Sequence, residues 1–329
     1  MRNGYLKELD EAKTRNEDPP FASFIQPHPH AVHKIFLPGI KARASTTALK
    51  AFYLGGWNIH CIPAPESASP RLFSSPPAPA PHIPIMLLSI IIPAWNEEKL
   101  LPETLASIRL AASASLDPAG IRWDIIVCDN NSTDSTAAVA AAGGARVIFE
   151  PVNQIGRARN TGSTAVAAEC DWLLFVDADS TPTAALFADL AAALRNPRIL
   201  GGGSLLHMPL EERGARVALG IWHAISTKFR YAAGSFLFVR TDAFREVGGF
   251  DTTFFAGEEL FLSQALKKVA KKRAMDFVIL SRNPMPTSPR KLQMHEPWHH
   301  LAWLLKTILT GGRTLKRRES CDIWYDGQR

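Results

Sequence analysis

Asp177 and Asp179 stand one residue apart where the apolar run Leu173–Val176 stops. Burying charge without a partner costs several kcal/mol, on the order of 2 to 7 even for a neutral polar group, so two carboxylates at the end of a greasy strand call for a reason. One reason is a cation. Mg2+ or Mn2+ takes oxygen ligands, commonly from one or two carboxylates with the remainder from phosphate or water. The other is local: "DSTP" also suits a helix start capped by Asp179 or Ser180.

Three more polar clusters end apolar runs upstream. "PAWNEE" (93–98) reads either as a strand-to-helix turn with dipole-complementing acids or as a loop offering its backbone and Glu97 to a ligand. "CDNNSTDST" (128–136) reads as a helix start with Asp129 ahead of a Ser/Thr cap. "NQIGRARNTG" (153–162) places Arg157, Arg159 and Asn160 at a helix beginning. Cations are unfavourable at that positive end, which points to a phosphate or carboxylate partner.

The elements that must hold these clusters follow from hydrophobic pattern. Residues 1–85 carry little periodicity, and 63–84 are rich in Pro, Ala and Ser. This stretch is therefore expected to be a disordered tail and linker, or an upstream extension of a chain that functionally begins at Met86. From residue 86, "MLLSIIIPAW", "WDIIVCDN", "ARVIFEP" and "DWLLFVDAD" are buried-type strands alternating with helical segments. That rhythm specifies an α/β fold with a doubly wound, mostly parallel sheet, whose ligands sit beyond the carboxyl ends of the strands. After residue 200, "GGGSLLHMP" and "RAMDFVILSRN" are further strands, and "GEELFLSQALKKVAKK" is a dipole-matched helix. "PWHHLAWLLKTIL" is an amphipathic helix with Trp298, Leu301, Leu305 and Ile308 on one stripe.

Composition narrows the partners. The chain has 329 residues and a formal net charge of +6, which favours anionic partners such as phosphates, nucleotides or a membrane surface. Four dispersed cysteines (Cys61, Cys128, Cys170, Cys321) show no CxxC spacing, so neither a zinc site nor a disulfide framework is expected. No uninterrupted apolar run is long enough to span a membrane, and the N-terminus lacks a secretory apolar region. A cytoplasmic location is expected, with a peripheral membrane contact as the sharper reading of the basic runs and the Trp298 and Trp303 helix.

The four clusters in this order resemble the family 2 glycosyltransferases with the GT-A fold. Their pattern is a strand ending Pro-x-x-Asn-Glu, then Asp-Asp-Gly-Ser-x-Asp, Gly-x-x-x-Ala-Arg-Asn-x-Gly, and Asp-x-Asp; here it stands as "PAWNEE", "DNNSTD", "GRARNTG" and "DAD". Downstream, "GSFLFVRTDAFREVGGFD" resembles the acceptor-side segment and "GEELFLSQALKK" takes the place of the Glu-Asp motif. The likeness spans roughly 86–290 and leaves 1–85 without a counterpart. Two departures stand out: Asn130 and Asn131 replace the usual Asp and Gly, and Glu258-Glu259 replaces Glu-Asp.

The resemblance implies sugar transfer with inversion from a nucleotide-diphosphate donor, UDP- or GDP-linked by preference, to a carbohydrate or lipid-linked acceptor, with no nucleic acid involved. It implies that Pro93, Ala94, Asn96, Glu97, Asp129, Asn131, Arg157, Asn160, Asp177 and Ala178 hold the donor, joined by Arg290 and Lys291 from the loop "TSPRK". The metal, Mg2+ or Mn2+, would rest on Asp179 and Asp177 with His295. Glu259 would be the general base, with Glu258 its rival. Residues 86–200 would form the donor half and 201–329 the acceptor and base half. Two other classes fit parts of the pattern. A nucleotidyltransferase also uses paired carboxylates, but "IIPAWNEE" lacks its glycine-rich signature and lysine; a degenerate sugar-nucleotide binder would keep the fold and lose turnover.

Overall fold

The computed structural model describes residues 86–288 and 313–321. Four expectations therefore lie outside the described residues: the nature of 1–85, the roles of Arg290 and Lys291, the ligand His295, and the helix with its stripe over 298–308.

Seven strands form one sheet: β1 (Met86–Ala94), β2 (Ile121–Asp129), β3 (Arg146–Phe149), β4 (Trp172–Val176), β5 (Ile199–His207), β6 (Phe236–Arg240) and β7 (Asp276–Pro286). Their order is β3-β2-β1-β4-β6-β5-β7. All neighbours run parallel except β6, which is antiparallel to both β4 and β5. The α/β class and mostly parallel sheet read from the alternation are thus what the chain forms.

The helices are α1 (Leu101–Ser115), α2 (Thr136–Ala142), α3 (Ile155–Thr164), α4 (Ala184–Arg195), α5 (Arg213–Phe229), α6 (Thr241–Glu246) and α7 (Glu258–Lys272). They cover both sheet faces, which is why the strands are apolar without alternation. In β4, Trp172, Leu174 and Val176 enter the core packed by α1 and α4, while Leu173 and Phe175 enter the second core, packed by α6 and α7. Packing of α3 on that second face is close: a Cβ on Gly162 would lie 2.6 Å from Ile91 Cγ2.

Register places the polar clusters side by side. Ala94 of β1 pairs with Asp129 of β2, and Asp129 pairs with Phe149 of β3. The carboxyl ends of these strands and of β4 therefore share one edge of the molecule, as parallel βαβ crossovers require. Leu315 of the short 3-10 helix Arg313–Lys316, and Cys321 just after a second one at Arg318–Ser320, pack on Phe254 and Ala256. The Phe255 N–H donates to the Leu315 carbonyl at 2.7 Å, which braces the approach to Glu258.

Candidate active site

The β1–α1 and β2–α2 loops are stitched together by their own polar residues. The Asn96 N–H donates to Ser132 Oγ at 3.0 Å, and Asn96 Oδ1 accepts from the Thr133 N–H at 2.8 Å. The Glu97 N–H donates to Thr136 Oγ1 at 2.8 Å, and Glu98 accepts from the Ser135 N–H at 2.9 Å. Burial would push the Asp134 carboxyl up, but hydrogen bonds from Thr136 and from the Glu98 N–H hold it below its ordinary range. The residues of both clusters shape turns, with Glu97 and Asp129 buried, while Ser135, the N-cap of α2, makes no side-chain cap hydrogen bond.

The two departures in the second cluster have local explanations. Asn131 sits at φ 64°, in the left-handed region, where asparagine is the most tolerated residue after glycine. Asn130 uses its whole amide on the next loop: Nδ2 donates to the Val152 carbonyl at 2.6 Å and Oδ1 accepts from the Gln154 N–H at 2.8 Å. An aspartate would supply no such donor. Asp129 Oδ1 meanwhile accepts from the Ser132 N–H at 3.0 Å.

Helix α3 carries a residue that the donor-site set leaves out. Arg159, only 1% exposed, donates from Nη1 to Glu258 Oε1 at 2.6 Å and from Nη2 to Asp177 Oδ1 at 2.9 Å. Its guanidinium also lies 5.2 Å from the Phe250 ring centre. Burial alone would ease its proton off, but the carboxylates of Asp177, Glu258 and Glu259 hold the charge firmly on. The anionic partner demanded by a cation at a helix start is therefore supplied within the chain. Arg157 points the other way and is exposed. Helix phase separates them. Gly156, Arg159 and Gly162 recur every third residue along the buried face, and the glycines mark it as the closely packed one. Asn160 reaches across to the segment after α6. Its amide donates to the Phe250 carbonyl at 2.8 Å and accepts from the Phe250 N–H at 2.9 Å, so it fixes the segment leading to α7.

Glu258 and Glu259 open α7 after Gly257, which adopts φ 72°. The two glutamates differ sharply. Glu258 is 2% exposed and ion-paired to Arg159. Glu259 keeps some surface, yet burial of its carboxyl, followed by repulsion from Glu258, pushes it up to about 8. One paired carboxylate beside another with a raised pKa is the arrangement that separates acid and base duties in a site.

Asp177 and Asp179 also diverge. Asp177 continues the alternation of Leu173 and Phe175, so it faces the α3 and α7 side and Arg159. The strand ends at Val176, the alternation lapses, and Asp179 lines a cavity of about 390 Å³ with Glu103, Thr104, His207 and Thr287. The expected cap by Asp179 or Ser180 is not what starts α4. Thr183 does that, its side chain accepting from the Leu186 N–H at 3.2 Å, while Ser180 donates to Thr287 Oγ1 at 2.9 Å. The Ala178 carbonyl is held by Thr104 Oγ1 at 2.7 Å. Pro93 and Ala94 lie within β1, opposite Cys128 and Asp129.

Among the described residues no group of three or more His, Cys, Asp or Glu side chains is arranged to hold a metal. Asp179 alone of the pair opens into the cavity, while Asp177 is committed to Arg159, so the two carboxylates do not converge on one cation. Cys128, Cys170 and Cys321 are buried. Burial, then the nearby Glu150 and Asp129 charges, push the Cys128 thiol up to about 12.

Comparison with known proteins places this geometry. The family described as Glycosyl transferase family 2 matches residues 89–247. An uncharacterized glycosyltransferase of Mycobacterium tuberculosis (strain ATCC 25618 / H37Rv) and one of Mycobacterium bovis (strain ATCC BAA-935 / AF2122/97) are each 39% identical over 107 residues, 32% of this chain and 43% of theirs. The chain thus spans under half the length of the curated relatives it matches. Among solved structures, the mannosyltransferase PcManGT from Pyrobaculum calidifontis, in complex with GDP-Man and Mn2+, is similar with a TM-score of 0.51 and 15% identity, covering 73% of this chain and 65% of that one. That likeness concerns the fold.

Proposed function

We propose that the chain is a glycosyl transferase of family 2, the family that matches residues 89–247, and that it transfers a sugar, with inversion, from a nucleotide-diphosphate donor to a hydroxyl acceptor. The observation that carries the proposal is the cluster at the strand ends. Arg159 bridges Asp177 and Glu258, and beside them burial, then repulsion from Glu258, pushes Glu259 up to about 8. A general base works best with a pKa near the working pH.

In this reading Glu259 accepts the proton of the acceptor hydroxyl as its oxygen attacks the anomeric carbon. The bond to the diphosphate oxygen breaks on the opposite face, so a single displacement inverts the centre. Glu258 positions Glu259 through Arg159 and does not share its duty. Asp129 and Glu97, buried at adjoining strand ends, face the nucleoside. Mg2+ or Mn2+ held by Asp179 together with the donor phosphates would offset diphosphate charge. The donor half is 86–200 and the acceptor and base half 201–329, although both halves contribute strands to one sheet. The GDP-Man in the Pyrobaculum protein makes GDP-sugars the first donors to try, with UDP-sugars beside them. Among the described residues no helix is long and apolar enough to cross a membrane, and a carbohydrate or lipid-linked acceptor is proposed.

The test pairs a thermal-shift panel of UDP-, GDP-, CDP- and dTDP-sugars, with Mn2+ or Mg2+, with a turnover assay on Glu259→Gln. A cognate donor at one hundred times its Kd stabilises the folded state by about 2.7 kcal/mol. The variant should retain that shift and lose transfer by a factor of roughly 10² to 10⁴. Undiminished turnover removes Glu259 from the role. Synthesis of sugar nucleotide from NTP and sugar phosphate would make the protein a nucleotidyltransferase. A donor-induced shift with no turnover on a broad acceptor panel would mark it as a binder.

A further inference from the structure

Helix α5 is packed unlike the other long helices. Of its 17 residues only Ser226 is buried. Val217, Ile221, Ile225 and Phe229 recur at every fourth position, so they follow one line along its outer side. Their exposures along that line are Val217 62%, Ile221 56%, Ile225 38% and Phe229 50%. On the inward side His223 Nε2 meets the Leu206 carbonyl at 2.9 Å, and at the C-terminal turn Ser226 Oγ donates to the Tyr231 carbonyl at 2.8 Å. A contiguous exposed apolar line of this kind marks a contact surface.

The charges on α5 say what that contact is. Arg213, Arg216, Lys228 and the C-cap Arg230 are all exposed, Arg230 at 3.7 Å from Asp276, and no acid occurs between residues 213 and 230, although Glu211 and Glu212 precede the helix. Arg213 and Arg216 flank the apolar line near its start, and Lys228 and Arg230 flank its end. A second copy laid antiparallel on this face would bring each cationic end against the other. The segment 289–312 carries three Lys or Arg against one Glu, so it repels rather than complements the same surface. An apolar face edged by cations is instead the pattern of a helix that lies in a bilayer interface.

We propose that the outer face of α5 docks onto a lipid surface rich in anionic headgroups, with Val217, Ile221, Ile225 and Phe229 in the acyl boundary and the four cations at the headgroups. The helix begins at Arg213, shortly after His207, which lines the cavity beside Asp179. Docking would therefore hold the site next to the membrane surface, where a lipid-linked acceptor is found. The proposal concerns binding and stands whether or not the transferase reading holds.

Cosedimentation of the full chain with vesicles tests it, without donor or acceptor. Vesicles of phosphatidylcholine with phosphatidylglycerol should bind the protein at about 0.1 M salt. Binding should fall at least tenfold on pure phosphatidylcholine and at about 1 M salt, where the Debye length shrinks from about 10 to about 3 Å. Ile221→Glu with Ile225→Glu should reduce binding tenfold or more while leaving the melting temperature unchanged. Arg213→Gln with Arg216→Gln, which spares the packing, should cost about tenfold or more on anionic vesicles alone. Trp298→Ser with Trp303→Ser should leave most binding in place. No cosedimentation, full binding by both α5 variants, loss confined to the Trp variant, or a concentration-dependent dimer abolished by Ile221→Glu with Ile225→Glu in protein that ignores vesicles would each overturn the assignment.

Discussion

Arg159 is the residue on which the site turns. Its ion pairs to Asp177 and Glu258 are buried, and breaking a buried pair by removing one partner costs about 3 to 5 kcal/mol, because the remaining charge is stranded. Arg159→Met is thus expected to lower stability by that order in chemical denaturation, against under about 1 kcal/mol for the exposed Arg157→Met. The contrast checks the placement directly. Equal losses would mean that Arg159 has no buried partners in solution.

At the scale of elements, the close approaches are set by glycine. β5 runs between β6 and β7 through Gly201, Gly202 and Gly203. A Cβ on Gly202 would lie 2.1 Å from the Val278 carbonyl oxygen and 2.9 Å from Phe238 Cζ. The first of these is backbone and cannot step aside, so Gly202→Ala should destabilise by about 3 kcal/mol or separate the strands locally. Urea denaturation measures the loss, and faster amide exchange across β5 and β7 locates it. Gly214, whose added Cβ would meet nothing, is the control and should tolerate alanine with little change.

For the whole molecule, Glu259 links pH to both stability and rate. Its pKa stands near 8 in the folded protein and near the ordinary 4.5 once unfolded. The folded state therefore holds the proton more tightly, and stability is lost as pH rises from about 4.5 through 8. Glu259→Gln removes that dependence. In EDTA, its melting temperature should match the parent's near pH 4.5 and exceed it increasingly up to pH 8.5. If the same carboxylate is the base, kcat/KM of the parent should climb with pH toward a limb near 8, since only the ionised form accepts a proton. A flat difference between the two melting profiles would contradict the raised pKa.

Much of this was legible in the sequence, because the information is local and periodic. Continuous apolar strands alternating with helices dictate a parallel sheet covered on both faces, and that topology alone gathers Glu97, Asp129 and Asp177 at one edge. The order of four polar clusters carried the family likeness. What the sequence left open was how neighbours of like chemistry divide: Arg157 and Arg159 at one helix start, Glu258 beside Glu259, and Asp179 as cap or as metal ligand. Each depends on which way a side chain faces after a strand or a loop ends, where no period remains to be read. Contacts with distant segments turn Arg159 inward to Glu258 and engage Ser180 with Thr287. The exposed line on α5 was equally invisible, since an apolar stripe in a sequence looks the same whether it meets a core or a membrane.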